Sequence, residues 1–155
     1  MHDIVSGTDT GHHDAFCTWV ADRIPWAGIT AFGPSTSLGV ISPNGLIAAV
    51  IYHDYTDWAD PADAASGVIQ ISMAADSPMW ARTENIRALL HYPFRQIGVW
   101  KVRIATLSTA AHNIKTFEHI GFKREAILAD EYGRKQHAWV GRMRQPDFAR
   151  LYEET

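Results

Sequence analysis

Apolar and polar residues in the first half of the chain follow a pattern that predicts a β-hairpin. Residues 36–41 and 46–55 read as strands, and the pair Asn44-Gly45 between them is typical of a tight turn with positive φ at both central positions. Residues 46–51 are apolar on both faces. Because such a strand is covered on both sides, we expect it to be central in its sheet.

Apolar residues at helical spacing predict two longer helices. The apolar face of an opening helix is formed by Phe16, Trp19, Val20 and Ile24. We expect this helix to end at Pro25. The face of a middle helix is formed by Ile86, Leu89, Leu90, Pro93, Phe94 and Ile97. Pro93 removes a backbone donor and clashes with the preceding turn, which predicts a kink or an early end there.

The remaining pattern predicts a mixed sheet. An acidic loop at 57–66 leads into a strand at 68–73, and another strand follows the middle helix at 100–107. Two strands joined by a helix of this length should be parallel neighbours with a right-handed connection. A short helix then ends at Gly121, and strands at 125–128 and 137–143 close as an antiparallel pair. The expected class is α+β with helices on both faces.

Length and composition limit the function classes. A chain of 155 residues with 46% hydrophobic content suits one globular domain over 1–155. No apolar run is long enough to span a bilayer and the N-terminus lacks the layout of a signal peptide, so we expect a cytoplasmic protein that does not bind membranes. Cys17 is the only cysteine, which excludes an internal disulfide and a zinc site built from cysteines.

Charge is distributed unevenly along the chain. Residues 1–81 carry nine acidic residues and one basic residue, whereas residues 82–155 carry thirteen basic and eight acidic residues. A polyanion would favour the second half and a cationic ligand the first. Scattered, solvated surface charge explains the same numbers equally well.

Several chemistries find no support in the sequence. The chain has no P-loop and no G-x-G-x-x-G motif. His12-His13-Asp14 and His53-Asp54 lack the spacing and the third partner of a metal site, so we expect no metal. The tryptophans are not interleaved with basic clusters and the pI is mildly acidic, so we expect no nucleic-acid binding.

One family resemblance emerges from these elements. The order strand, helix, hairpin after residue 100 and the helix end Phe117-Glu118-His119-Ile120-Gly121-Phe122 resemble the C-terminal half of a GNAT acyltransferase, a member of the acetyl-CoA-dependent family. The resemblance extends over about residues 35–143. A divergent GNAT variant often carried by phages and prophages is the most similar, through Thr36-Ser37-Leu38-Gly39-Val40, Ala74-Ala75-Asp76-Ser77-Pro78 and Leu89-Leu90-His91-Tyr92-Pro93-Phe94.

The resemblance implies a fold and a cofactor site. It implies a mixed, mostly antiparallel sheet whose single central parallel pair, 68–73 and 100–107, splays apart to admit acetyl-CoA. The cofactor-binding residues it implies are Ile71, Met73, Ser77, Met79, Trp80, Ala81, Arg82, Thr83, Asn113 and Phe117. An amide N–H near Met73 would polarise the thioester. The resemblance also allows a homodimer, and the sequence does not decide the oligomeric state.

The chain departs from the family at two motifs. The pyrophosphate loop Q/R-x-x-G-x-G/A is absent, and Pro78 and Trp80 take the glycine positions. Phe117 stands where many members have the tyrosine that protonates the leaving thiolate. Other branches of the family also lack that tyrosine.

Ser77 and Pro78 still predict a phosphate site by another route. Ser77 is a good N-cap and Pro78 suits the first helical position, so the amides of Met79, Trp80 and Ala81 would be free at a helix N-terminus. Arg82 would be close to a bound phosphate, and Asp76 would repel it. An ordinary helix start explains the same residues without a ligand.

Candidates for the catalytic base follow from their chemistry. His53 and Asp54 end the central strand, and histidine titrates near neutrality. An exposed strand end beside a turn is the competing interpretation of both residues. Ser108, Ser72 and His112 are further catalytic candidates near the cleft, each acting through a bound water molecule.

Together these observations predict an N-acetyltransferase that moves an acetyl group from acetyl-CoA directly to a primary amine. The acceptor would be a protein N-terminus, a lysine or a small amine, held beside Asp54, Tyr55 and the acidic loop at 57–63. The alternative is a non-catalytic binding or structural module of GNAT fold, such as a phage or host-interaction protein. The missing glycines and the absent tyrosine favour that alternative.

Overall fold

A computed structural model describes residues 2–58 and 65–154 of the chain. Seven strands form one sheet in the order β1-β2-β3-β4-β5-β7-β6. Their bounds are β1 Asp3–Ser6, β2 Ser35–Ser42, β3 Gly45–Thr56, β4 Val68–Ala75, β5 Lys101–Leu107, β6 Lys123–Gly133 and β7 Gln136–Arg144. Neighbouring strands in the described part are antiparallel except β4 and β5, which are parallel. The predicted α+β class and the parallel pair are confirmed.

Helices cover both faces of the sheet, as predicted. The α-helices are α1 Gly7–Thr10, α2 His13–Arg23, α3 Thr83–His91, α4 Ala111–Ile120 and α5 Gln145–Phe148. On one face, Phe16 and Val20 of α2 form a core cluster with Ala49 and Ile51 of β3. On the other face, apolar residues of α3, α4 and α5 join a larger core cluster. In these two clusters, helices therefore cover only one face of the half of the sheet that is formed by β5, β7 and β6.

The β2–β3 hairpin forms where predicted, but its turn differs from the prediction. Ser42 pairs with Gly45, so Pro43 and Asn44 are the two central residues. Gly45 has a φ of 119°, and Asn44 is not among the residues with positive φ. The expectation of positive φ at both central positions is wrong because the proline ring holds φ near −65°. β3 is central and buried on both faces, as expected.

Pro93 ends the regular part of the middle helix, as predicted. The α-helical hydrogen bonding stops at His91, and residues Tyr92–Ile97 continue as a π-helix to Gly98. The Pro93 carbonyl accepts from both Gly98 and Val99 at 3.0 Å. Gly121 ends α4 with a φ of 125°, as its position in the sequence indicates.

Several elements differ from the sequence-based expectation. β1 was not predicted, because only Ile4 and Val5 are apolar in it. The C-terminal segment after β7 folds as α5 and a π-helix at Ala149–Glu153 rather than ending with the hairpin. The helix expected to start at Pro78 is a separate 3-10 turn, Pro78–Ala81, and α3 starts at Thr83. Part of the acidic loop, residues 59–64, lies outside the described residues.

Candidate functional site

The parallel strands β4 and β5 separate halfway along their length. They pair from Val68 and Lys101 up to Ile71 and Ile104. Beyond that point β4 continues to Ala75 paired with β3, and β5 continues to Leu107 paired with β7. The predicted gap between the two strands is therefore present, and it exposes one backbone edge of β4.

Two cavities meet at this gap. The larger, about 690 Å³, lies against residues of β3, β4, β5 and the β6–β7 hairpin, and the other is about 430 Å³. Both are lined by Ile24, Trp26, Met73, Asn113 and Phe117. Because the two cavities share these residues, they form one cleft that passes through the gap between β4 and β5. Asn113 is oriented by a hydrogen bond of 3.3 Å from its Nδ2 to Thr106 Oγ1.

A chain of hydrogen bonds connects Asp54, His53 and Ser72 in the wall of the larger cavity. His53 Nδ1 lies 3.1 Å from Asp54 Oδ2, and His53 Nε2 lies 2.8 Å from Ser72 Oγ. A proton on Nδ1 suits the carboxylate, which leaves Nε2 to accept from the serine hydroxyl. Ser72 is the first residue of β4 beyond the last pair with β5. The sequence suggested His53 and Asp54 together and Ser72 as a further candidate acting through water, and the structure joins all three by hydrogen bonds.

Burial and backbone conformation determine the charge states of the hydrogen-bonded residues His53 and Asp54. The His53 side chain is 8% exposed whereas that of Asp54 is 69% exposed. Burial lowers the pKa of His53 below its ordinary value, and the charge and hydrogen bond of Asp54 oppose that change. Asp54 has a φ of 54° at an irregularity in the β3–β4 pairing. Such a conformation is costly for aspartate and is often retained at functional sites. His53 is therefore neutral at pH 7 and available as a base.

The acidic residue beside the second cavity is neutralised. Asp76 accepts hydrogen bonds of 2.8 and 2.9 Å from the guanidinium of Arg23, which also lies 3.6 Å from the centre of the Trp19 ring. The hydrogen bond from Arg23 lowers the pKa of the Asp76 carboxyl. The expected repulsion between Asp76 and a phosphate is thus largely offset by Arg23.

The predicted amide cluster at Ser77 is not free. The Met79 amide donates to Ser77 Oγ at 3.2 Å, and the Trp80 amide donates to the Ser77 carbonyl at 3.3 Å. These bonds form because Pro78–Ala81 is a closed 3-10 turn, so the expectation that those amides point outward is wrong for Met79 and Trp80. The Trp80 side chain is buried in the core and lines the second cavity.

The remaining predicted residues fall into four groups. Met79, Ala81, Arg82 and Thr83 are exposed on the surface next to the start of α3. Ile71 is buried in the core, whereas His112 lines the second cavity. Ser108 follows the end of β5, where its amide donates to the His137 carbonyl, and it lines neither cavity.

Sequence reasoning missed the polar residues on the wall formed by β5 and β6. Lys101, Arg103 and Glu125 line the larger cavity, and so does Tyr132. Burial and the neighbouring Glu131 raise the pKa of Tyr132, so its hydroxyl stays protonated and can donate to a ligand. Lys101 and Arg103 alternate with the buried Val102 and Ile104. That alternation was the available signal that both side chains share one face.

The described residues offer neither a metal site nor a membrane-spanning helix. No group of three or more His, Cys, Asp or Glu side chains in the described part of the chain could hold a metal ion. No helix among residues 2–58 and 65–154 is long and apolar enough to cross a bilayer.

Comparison with known proteins supports the fold. No protein-family model and no curated protein matches the chain. Among solved structures, the chain is similar to a ribosomal-protein-S5-alanine acetyltransferase from Vibrio fischeri, with a TM-score of 0.59 and 12% identity over 74% of this chain and 63% of that one. It is also similar to a spermidine N-acetyltransferase from Vibrio cholerae in complex with CoA and spermine, with a TM-score of 0.60 and 17% identity over 87% and 74% of the chains.

A third similar structure is an acetyltransferase of the GNAT family from Bacillus anthracis, with a TM-score of 0.53 and 15% identity over 71% of this chain and 66% of that one. The chain thus spans just under two thirds of the Vibrio fischeri and Bacillus anthracis enzymes. At these identities the likeness shows a common fold, that of the GNAT acetyltransferases.

Proposed function

We propose that the protein is an N-acetyltransferase that moves the acetyl group of acetyl-CoA directly to a primary amine. The observation that carries the proposal is the separation of β4 and β5 beyond Ile71 and Ile104, which joins two cavities through one opening in the sheet. A carrier arm that enters from one side can meet an acceptor that enters from the other. The Vibrio cholerae structure with CoA and spermine supports this pair of ligand classes.

The exposed edge of β4 suits the arm of acetyl-CoA. Residues 72–75 have no partner on the β5 side, so their backbone groups on that edge are open to a ligand. An amide near Met73 would donate to the thioester oxygen and stabilise the charge that develops on it. In support of this role, Met73 lines both cavities.

The phosphates of acetyl-CoA would bind at the start of α3 rather than at Ser77. The first α-helical bond runs from the Ile86 amide to the Arg82 carbonyl, so the amides of residues 83–85 have no partner within the helix. Arg82 is exposed at the same end. Amides at a helix N-terminus together with a guanidinium attract phosphate without glycines.

The hydrogen-bond chain would supply the base. The neutral amine attacks the thioester carbon, the C–N bond forms and the C–S bond breaks. As nitrogen becomes positive, its proton passes to Ser72 Oγ while the serine proton passes to His53 Nε2. Asp54 stabilises the imidazolium that results. Phe117 has no proton to donate to the leaving thiolate. We therefore assign protonation of the thiolate to water in the cleft. Alignment of the reactants would contribute most of the remaining acceleration.

Because acetyl-CoA is made and used inside cells, we place the protein in the cytoplasm. The kinship with the phage-type variant rests on its three matching sequence segments alone. The homodimer is likewise a proposal.

One observation favours the non-catalytic alternative. The amides of Met79 and Trp80 are engaged by Ser77, so the segment that replaces the glycine loop offers fewer donors than the family motif. A protein that binds CoA without transferring acetyl groups would retain the fold and the cleft but not the turnover.

Calorimetry and an amine panel test the proposal together. We expect acetyl-CoA and CoA to bind at micromolar to submillimolar concentration, and we expect free thiol to be released when a broad panel of primary amines is added. No binding at millimolar concentration would overturn the proposal. Binding without transfer to any amine would favour the non-catalytic module.

A further inference from the structure

One row of polar side chains crosses five strands of the sheet. The registers pair Ser35 with His53, His53 with Gln70, Gln70 with Arg103 and Arg103 with Arg142. Directly opposed residues project from the same face, so these side chains share one face of the sheet. His53, Gln70 and Arg103 line the larger cavity. The proposed base and a pair of arginines thus lie in one row.

The arginine end of the row carries an excess of positive charge. Lys101 Nζ lies 2.6 Å from Glu125 Oε1, and Arg103 Nε lies 3.6 Å from Glu125 Oε2. Burial raises the pKa of Glu125, but the hydrogen bond from Lys101 and the charges of Lys101, Arg103 and Arg142 outweigh it and lower the pKa. Three cations therefore surround one carboxylate, which leaves this basic cluster with two surplus charges.

A buried donor in the cluster lacks an acceptor. Arg142 Nη1 is buried and has no hydrogen-bond partner among the described residues. An unpaired buried donor is costly, and it is costlier when charged. The basic cluster is therefore short of negative charge. Lys101 and Arg103 line the larger cavity, so an anion bound there would supply that charge.

The other carboxylates of the cavity lie apart from the basic cluster. Asp54 is hydrogen-bonded to His53 on β3. Glu131 lies six residues beyond Glu125 on β6, towards the turn of the hairpin. Neither makes an ion pair with Lys101, Arg103 or Arg142, so neither offsets the surplus charge at close range.

We propose that the basic cluster of Lys101, Arg103 and Arg142 binds an anionic group of the acceptor, so that the acceptor is a small amine that also carries a carboxylate or a phosphate. This inference rests on the proposed function. Neighbouring strands are about 4.8 Å apart, so His53 on β3 and Arg103 on β5 are separated by about 10 Å at the backbone. An acceptor with its amine at one end and its anionic group at the other would therefore contact both residues. A diamine would instead bring a second cation against the cluster.

Matched acceptors test this inference. L-Lysine and cadaverine differ by one carboxylate, and O-phosphoethanolamine and ethanolamine differ by one phosphate. We expect kcat/KM, measured by thiol release, to be at least tenfold higher for the anionic member of one pair or both. We expect Arg103→Gln to remove most of that preference, chiefly by lowering kcat/KM for the anionic member of the pair, and Arg103→Lys to restore part of it.

Arg124→Gln is the matched control. Arg124 is exposed and pairs with Gly141, so it lies on the face opposite to Arg142. This variant loses the same charge one residue from Glu125, and we expect it to keep the preference. Thermal unfolding of each variant confirms that it is folded before its kinetics are compared.

The outcomes separate the inference from the proposed function. If neither anionic acceptor is better than its partner without the anionic group, or if Arg103→Gln affects both members of each pair equally, the inference is wrong and the transferase stands. If acetyl-CoA does not bind, the proposed function is wrong. If acetyl-CoA binds without turnover, calorimetry of both acceptor pairs with the CoA-loaded protein decides. Stronger binding of an anionic member that Arg103→Gln abolishes supports the basic cluster, and equal binding within both pairs overturns it.

Discussion

The hydroxyl of Tyr52 donates a hydrogen bond of 2.6 Å to the carbonyl oxygen of Leu89, four residues before Pro93. In an α-helix that carbonyl would accept from the amide of residue 93, and proline has none. The central strand β3 thus satisfies the carbonyl that Pro93 leaves without a helical donor. Tyr52 is fully buried and its ring packs edge-on against Tyr92 at 4.8 Å, so the bond also attaches α3 to the sheet.

Tyr52→Phe should therefore destabilise the protein by about 1–3 kcal/mol, because it leaves the Leu89 carbonyl buried without its side-chain donor. Chemical denaturation followed by tryptophan fluorescence measures the free energy of unfolding. Tyr55→Phe is the control, since Tyr55 is 50% exposed, and it should change stability by less than about 0.5 kcal/mol. Equal effects of the two substitutions would contradict the role given to the hydroxyl.

His53→Gln should lower kcat about 10²- to 10⁴-fold if His53 is the general base. The Kd of acetyl-CoA should stay within about twofold, because the contacts proposed for the cofactor lie on β4 and α3. Stopped-flow kinetics and calorimetry separate the two parameters. His112→Gln is the comparison, as His112 lines the second cavity but belongs to no described hydrogen-bond chain with Ser72. A His53 variant with full turnover would remove histidine from the mechanism.

Ser72→Ala should reduce kcat less than the His53 substitution does, because a water molecule can replace the hydroxyl between amine and imidazole. Direct transfer also predicts that Ser72 is never acetylated. Intact-mass spectrometry after incubation with acetyl-CoA alone should show the unmodified chain. A mass increase of one acetyl group that Ser72→Ala abolishes would replace direct transfer with a covalent route.

Stability should depend on pH through His53. Burial lowers its pKa below the ordinary 6.5, so between these two values the unfolded chain binds more protons than the native protein. The free energy of unfolding therefore rises as pH increases through that window and levels off above about 6.5. His53→Gln should flatten this part of the curve, measured as denaturation midpoints from pH 4.5 to 7.5. An unchanged slope would mean that His53 does not titrate differently in the two states.

Arg23→Gln should weaken binding of CoA, because it frees the carboxylate of Asp76 at the wall of the second cavity. We expect the Kd to rise roughly threefold to tenfold at low salt, with little change in stability for so exposed an ion pair. The double variant Arg23→Gln, Asp76→Asn should regain most of the affinity, since the repulsive charge is then absent. Failure of the second substitution to restore binding would show that Arg23 contacts the cofactor itself.

Local patterns in the sequence were enough to predict the elements on both sides of the gap between β4 and β5. The apolar run of β3, the helical stripe of α3 and the stop at Gly121 depend on neighbours within a few residues, so periodicity reveals them. β1 was not predicted because its two apolar residues are too few to form a periodic pattern. The β2–β3 turn was misassigned because register, set by the whole hairpin, placed Pro43 and Asn44 at its centre.

The sequence by itself determined a mixed sheet with one parallel pair and the residue types at its centre, because burial of apolar side chains is written in their spacing. Only the tertiary structure decided that Ser72 reaches His53, that Arg103 opposes Arg142 and that Arg23 neutralises Asp76. Those pairs lie 19, 39 and 53 residues apart in the chain. Their meeting depends on strand register and helix packing, which are settled by the free energy of the whole fold and leave no periodic signal in the sequence.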